Sequence, residues 1–225
     1  MHGLDYKLLK EGIRNVNFVN IKDIILKYNP DIISINEIYG ASNINNEEFF
    51  DQVDYLKSLI QYPYCYFSKA ISISKGDYGN AIFSKYVIND IKKYDILDAK
   101  SSSSLKEHRV ITSVNILGIN VISTHFGLLE EEQENGYHKL LELIKDNKKI
   151  IFLGDLNMDV NNKIIKNIMN ELNSVSDNSY TFPSIMPIKK IDYIFYKGLD
   201  EVNSLVIKEI VSDHYPIIAE FKMGE

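Results

Sequence analysis

Apolar positions along the chain recur at two periods. Phe18, Ile21, Ile24, Ile25 and Tyr28 share one helical face, which predicts a helix over residues 17–28 with Pro30 just past its end. Ile32, Ile33 and Ile35 supply β-branched bulk for a short buried strand over residues 31–36. Asn46 can cap a second helix whose inner face is Phe49, Phe50, Val53, Leu56 and Ile60. From about residue 62 to 124 the pattern shortens to β-like runs, broken at Lys75-Gly76-Asp77 and at the serine run 101–104, which reads as a mobile loop. Residues 109–115 and 119–123, joined at Leu117-Gly118, predict a β-hairpin. A helix over 130–145 with Leu140, Leu141 and Ile144 inward follows, then a strand at 149–153 and a helix at 162–172. Strands are expected near 191–196, 203–210 and 215–222. Helices and strands mix along the whole length with no repeat and no linker. The expectation is one α/β domain over residues 1–225, a sandwich rather than a doubly wound parallel sheet.

Composition narrows the function. A hydrophobic share of 45% supports a sizeable core, and a net charge of −6 disfavours tight non-specific binding to duplex DNA. The lone Cys65 excludes an intramolecular disulfide and reads as a partly buried strand residue; no Cys/His zinc spacing is present. Met1-His2-Gly3-Leu4-Asp5 lacks the features of a signal peptide, and no apolar run is long enough to span a membrane. The expected setting is cytoplasmic, with no stable membrane insertion.

Four apolar runs lead into polar, proton- or metal-competent residues. Ile32 to Asn36 ends in Glu37; Asn120 to Thr124 ends in His125; Ile150 to Gly154 ends in Asp155, with Asn157 two further on; and Asp213-His214 opens the run Tyr215-Pro216-Ile217-Ile218. Strand ends hold a site rigidly. Glu37 suits a hard cation such as Mg2+, which prefers carboxylates and keeps several waters. His214 suits proton transfer if a carboxylate fixes its tautomer, and that carboxylate is either Asp213 beside it or Asp192 from its own strand end. Asp155 and Asn157, spaced i and i+2, would point to one side of an extended segment, one orienting water and the other donating to a phosphoryl oxygen. His125 would donate to the oxygen that gains charge in the transition state. Taken singly, each residue reads equally well as a turn, cap or structural histidine. Taken jointly, they fit metal-assisted phosphoester hydrolysis.

The segments Asn36-Glu37, Thr124-His125-Phe126-Gly127-Leu128, Gly154-Asp155-Leu156-Asn157, Lys190-Ile191-Asp192-Tyr193-Ile194-Phe195 and Ser212-Asp213-His214-Tyr215-Pro216 together resemble the endonuclease/exonuclease/phosphatase superfamily, the DNase I-like proteins. Gly79-Asn80-Ala81-Ile82-Phe83-Ser84-Lys85 and Tyr180-Thr181-Phe182-Pro183 extend the likeness. The resemblance implies a four-layer α/β/β/α sandwich of two mixed sheets. It implies Mg2+ or Mn2+ on Glu37, with Asp213 as a further ligand. It implies His214 as general base with Asp192 or Asp213 orienting it, and Asp155, Asn157 and His125 at the phosphate. Asn80 and Arg109 would touch the phosphate; Arg109 reads otherwise as a strand-face ion pair. The implied partner of a monomeric enzyme is a phosphoester: a small molecule, a lipid head group or a nucleic acid. The family opens with a strand ending in a metal-site asparagine, ahead of a segment like His2-Gly3-Leu4-Asp5. That strand is expected upstream of Met1; its loss would instead make the chain a binding or structural relative. The family's Tyr/Trp-rich membrane-contact hairpin is not visible, and the Thr124 to Leu128 segment leans toward the phosphatase-like branch.

Overall fold

In the computed structural model, which describes residues 17–40, 51–73 and 76–223, three of the four described helices begin at a polar side-chain cap, and the helix over 130–144 begins at Leu129 without one. Helix α1 (Phe18–Tyr28) starts at Asn17, whose side chain accepts from Asn20 N, and ends at Asn29 in the left-handed conformation. Helix α2 (Gln52–Ile60) is capped by Asp51 rather than Asn46, which lies outside the described residues, as do Phe49, Phe50 and the segment 2–5. Helices α3 (Glu130–Ile144) and α4 (Lys163–Glu171) complete the helical set among the described residues; Asn162 caps α4.

The strands are β1 (Ile32–Gly40), β2 (Tyr64–Ile73), β3 (Gly76–Ser84), β4 (Asn89–Ile96), β5 (Arg109–Ile116), β6 (Ile119–His125), β7 (Ile150–Asp155), β8 (Asn173–Ser174), β9 (Asp192–Lys197), β10 (Asp200–Val206) and β11 (Ile217–Lys222). They form a six-stranded sheet in the order β4-β5-β6-β7-β9-β8, a three-stranded sheet β1-β3-β2 and a pair β10-β11. The β6–β7 pairing is parallel and its neighbours are antiparallel, so the large sheet is mixed. The predicted hairpin is β5–β6, turned by Leu117 and Gly118, both at positive φ. Where the resemblance expects one more strand beside β1, the described residues pair β1 on one side only, with β3.

Three apolar layers glue these parts together. Phe18, Ile21 and Ile25 of α1 with Val53, Leu56 and Ile60 of α2 pack on Ile35, Ile38, Ala81 and Phe83. Leu140 and Ile144 of α3 with Ile165 and Ile168 of α4 pack on Ile111, Ile122, Ile150, Phe152 and Phe195. Between the sheets lie Ile82, Val114, Ile116, Val121 and Leu199. The result is the expected α/β/β/α order. Towards the end of the sandwich where β1 and β6 finish, the hydroxyls of Ser34 and Ser123 meet at 2.6 Å and those of Ser68 and Thr112 also bond, tying one sheet to the other. No described helix is long and apolar enough to cross a membrane.

Candidate active site

Register in the large sheet lines up three chemical groups. His125 ends β6 opposite Asp155 of β7, and Asp155 lies opposite Asp192 of β9. Directly opposed residues share a face, so these side chains leave the sheet together. His214 arrives from the loop between β10 and β11. Its Nδ1 lies 2.8 Å from Asp192 Oδ2, and its Nε2 lies 3.8 Å from Asp155 Oδ2. Asp192, not the adjacent Asp213, is therefore the carboxylate on the ring, and it fixes the proton on Nδ1. Burial works against the charged imidazole, but the hydrogen bond and charge of Asp192, with help from Asp155 and Asp213, prevail and raise the His214 pKa to about 9. Asp155 is shifted up by burial first and by the charge of Asp192 second.

His125 behaves oppositely. Arg109 Nη1 lies 3.1 Å from its Nδ1. A guanidinium only donates, so Nδ1 accepts and Nε2 carries the proton, facing Asp155 Oδ2 at 3.5 Å. Asn157 Nδ2 is 3.1 Å from that same Nε2 and donates one of its two hydrogens to Phe126 O at 2.9 Å. Burial, then the charge of Arg109, holds the His125 pKa well below the usual value. The ring is neutral, and its approach to Glu37 Oε1 at 3.9 Å is not an ion pair. Arg109 is itself 7% exposed, bonds Glu107 Oε2 at 3.0 Å and keeps Nε without a partner among the described residues, so it is no strand-face surface pair.

Local backbone irregularities aim the remaining groups. Successive strand residues face opposite sides. At Asn36-Glu37 the β1–β3 register shifts between Ile35 and Ile38, and Glu37 takes φ +59°. This bulge delivers both side chains to the site. With its amide in the orientation that satisfies both ends, Asn36 donates to Asn80 Oδ1 and Thr124 O, each at 3.3 Å, and accepts from Asp155 N at 3.0 Å. Asn80 is thus buried and joined to the site through Asn36. The Asp155–Asn157 pair departs from the extended geometry expected for it. Asp155 Oδ1 accepts Asn157 N at 2.8 Å in a tight turn, with Asn157 at φ +53°. Before that turn, Gly154 sits at φ +149°, and a Cβ there would meet Thr124 O at 1.9 Å.

The structure therefore gathers Glu37, Arg109, His125, Asp155, Asn157, Asp192 and His214 around one point, with Asn80 behind. Asp213 turns its Oδ1 into a buried position with no hydrogen-bond partner among the described residues, and its backbone oxygen accepts from Ser184 N. Ligand-capable atoms of Asp155, Asp192 and His214 lie within 4.8 Å of one another. Four neighbours carry no role in the sequence reading: Asn36, Glu107, Tyr78 and Phe182. Tyr78 is buried, and its hydroxyl is pushed up by burial and then by the charges of Glu37 and Glu107. Phe182 packs on the His214 ring at 4.7 Å between centroids. For three of them the signal was adjacency: Asn36 precedes Glu37, Glu107 is two before Arg109, and Phe182 lies in the Tyr-Thr-Phe-Pro segment.

A sequence model of the endonuclease/exonuclease/phosphatase family matches residues 15–214. The chain belongs to that family. None of the curated proteins matches the chain closely enough to count as a relative. Solved structures share the fold at low identity. An endonuclease/exonuclease/phosphatase from Beutenbergia cavernae superposes with a TM-score of 0.76 at 18% identity, over 93% of this chain and 67% of that one. A family protein from Leptotrichia buccalis gives 0.69 at 22%, over 91% and 92%. The mannosyl-6-phosphatase Bt3783 of Bacteroides thetaiotaomicron gives 0.68 at 15%, over 91% and 90%.

Proposed function

We propose that the chain hydrolyses a phosphoester by attack of water, with His214 as general base. One observation carries the reading: Asp192 holds His214 so that Nε2 points at Asp155, beside Glu37 and the Arg109–His125 pair. In the step proposed, water oxygen bonds to phosphorus, its proton passes to His214 Nε2, and the ester P–O bond breaks. Asp155 orients the water. The neutral His125 donates from Nε2 to a phosphoryl oxygen, and the Asn157 amide and Arg109 add donors where negative charge accumulates. Asp192 stabilises the imidazolium that forms.

The donor set fits a hard divalent cation. The bulge at Glu37 turns its carboxylate toward His125, and such an oxygen donor suits a hard cation. Glu37 would hold Mg2+ or Mn2+, which when bound supplies positive charge to the phosphoryl oxygens, and Asp213, whose buried Oδ1 has no partner among the described residues, is the further ligand proposed. A cation held by Glu37 would also oppose the charged form of His214, favouring the free Nε2 that the step needs. The test is phosphate-ester turnover by chelator-stripped protein on a panel of mono- and diesters, with Mg2+ or Mn2+ restored. Turnover that appears only with the ion is expected; no turnover on any ester by the metal-loaded chain would defeat the proposal.

A further inference from the structure

Seven large apolar side chains are at least 55% exposed among the described residues, and all but Val19 come from two loops: Leu97, Leu105, Tyr180, Ile185, Met186 and Ile188. The first loop leads from β4 into Arg109. The second leads into Asp192 and carries Phe182, the residue against His214. Their roots, β5 and β9, are three strand spacings apart in the sheet order, or about 15 Å, with His125 and Asp155 between them. The apolar rim therefore borders the mouth of the site on two sides.

The second loop is not free to fold these side chains inward. Phe182 and Lys189 exchange backbone hydrogen bonds at 3.0 and 2.9 Å, and Met186 N closes a turn on Pro183 O at 3.1 Å. Ser184 N bonds Asp213 O at 2.8 Å, Ser184 Oγ bonds Ser212 O at 2.6 Å, and Tyr215 N bonds Thr181 O at 2.8 Å, so the hairpin is fastened to the segment that carries His214. Apolar groups held outward in this way mark a contact surface.

The chemistry of the rim selects the partner. Five of the six are aliphatic, which suits acyl chains better than nucleobases, whose recognition uses aromatic stacking. Lys106 follows Leu105 and Lys189 follows Ile188; both are exposed with no ion-pair partner among the described residues. Such lysines meet phosphate headgroups while their neighbours enter the apolar layer. We propose that this rim seats on a phospholipid surface and brings a headgroup phosphoester to the site, an inference that rests on the hydrolase reading above for its catalytic half.

The test is co-sedimentation of the full chain with mixed phosphatidylcholine and phosphatidylglycerol vesicles, alongside turnover of bis-p-nitrophenyl phosphate with Mg2+. The double variant Met186→Ser, Ile188→Ser is expected to lose at least about a hundredfold in vesicle partitioning, the worth of burying two large apolar side chains, with soluble-ester turnover unchanged. Equal partitioning of variant and parent, or none by the parent, overturns the inference whatever the soluble-ester result. Binding of a single-stranded oligonucleotide that needs the same two residues, in place of vesicles, also overturns it. Vesicle binding that needs the rim, without turnover of any ester by the parent, supports the docking surface and counts against the hydrolase reading instead.

Discussion

His214 and His125 are two histidines of one cavity held in opposite protonation states by their neighbours. Asp192 raises the first to about 9, while burial and Arg109 depress the second. A base must be unprotonated, so kcat/KM should rise with pH through the His214 pKa. Asp192→Asn removes the hydrogen bond and charge that raise it. The acid limb of the pH–rate profile should then move to lower pH while kcat falls by about 100- to 10,000-fold, because the tautomer is no longer fixed. A limb that stays or moves upward would contradict the assigned pairing. Glu37, His125 and Asp155 were legible in sequence as candidates because each ends an apolar run. The choice between Asp192 and Asp213 was not, since it depends on β9 pairing with β7 and on the path of the loop that brings His214 across. Nor was the neutrality of His125, which requires a buried arginine from another strand.

At the scale of elements, irregular backbone makes the site. The apolar pattern of β1 ends at Ile35, so the strand expected from sequence stopped at residue 36; pairing with β3 carries it on to Gly40, through the bulge that turns Glu37 inward. Periodicity cannot show a bulge, because a bulge is a break in periodicity. At Gly154 both positive φ and the approach of Thr124 O forbid a side chain. Gly154→Ala should cost about 2–4 kcal/mol, a fall in Tm of roughly 5–15 °C for a domain of this size, measured by thermal unfolding. A shift within a degree would show that β6 and β7 separate easily there. The loop before β5 is held by His108, whose Nδ1 lies 2.7 Å from Asp98 Oδ1 and whose Nε2 lies 3.2 Å from Asp95 Oδ1. Burial lowers its pKa, but the two aspartates more than reverse this and raise it above 6.5. A raised histidine stabilises fully below its unfolded pKa and loses that contribution as pH rises through the folded value. The stability gap between the parent and His108→Gln should therefore be widest below pH 6.5 and narrow as pH rises above it; a gap that widens with pH would refute the clamp.

For the whole molecule, alternation of helical and strand periods was enough to read an α/β sandwich, because each face must bury its stripe, while the four-layer α/β/β/α order came from the family resemblance. Which strands share a sheet was hidden, since the parallel β6–β7 contact and the antiparallel β7–β9 contact join segments far apart in sequence. The limits of β10 also shifted, from 203–210 to Asp200–Val206, because pairing with β11 begins at Asp200 opposite Lys222. The acidic net charge of −6 remains consistent with a site that draws its substrate by local donors rather than by a basic surface. All of these levels converge on His214, the group proposed to take a proton from water. The most direct measurement is the kcat for bis-p-nitrophenyl phosphate with saturating Mg2+, for the parent and for His214→Ala folded to the same Tm. The account predicts Mg2+-dependent turnover by the parent and a loss of at least about 100-fold in the variant; Mg2+-dependent turnover that survives the substitution would contradict it.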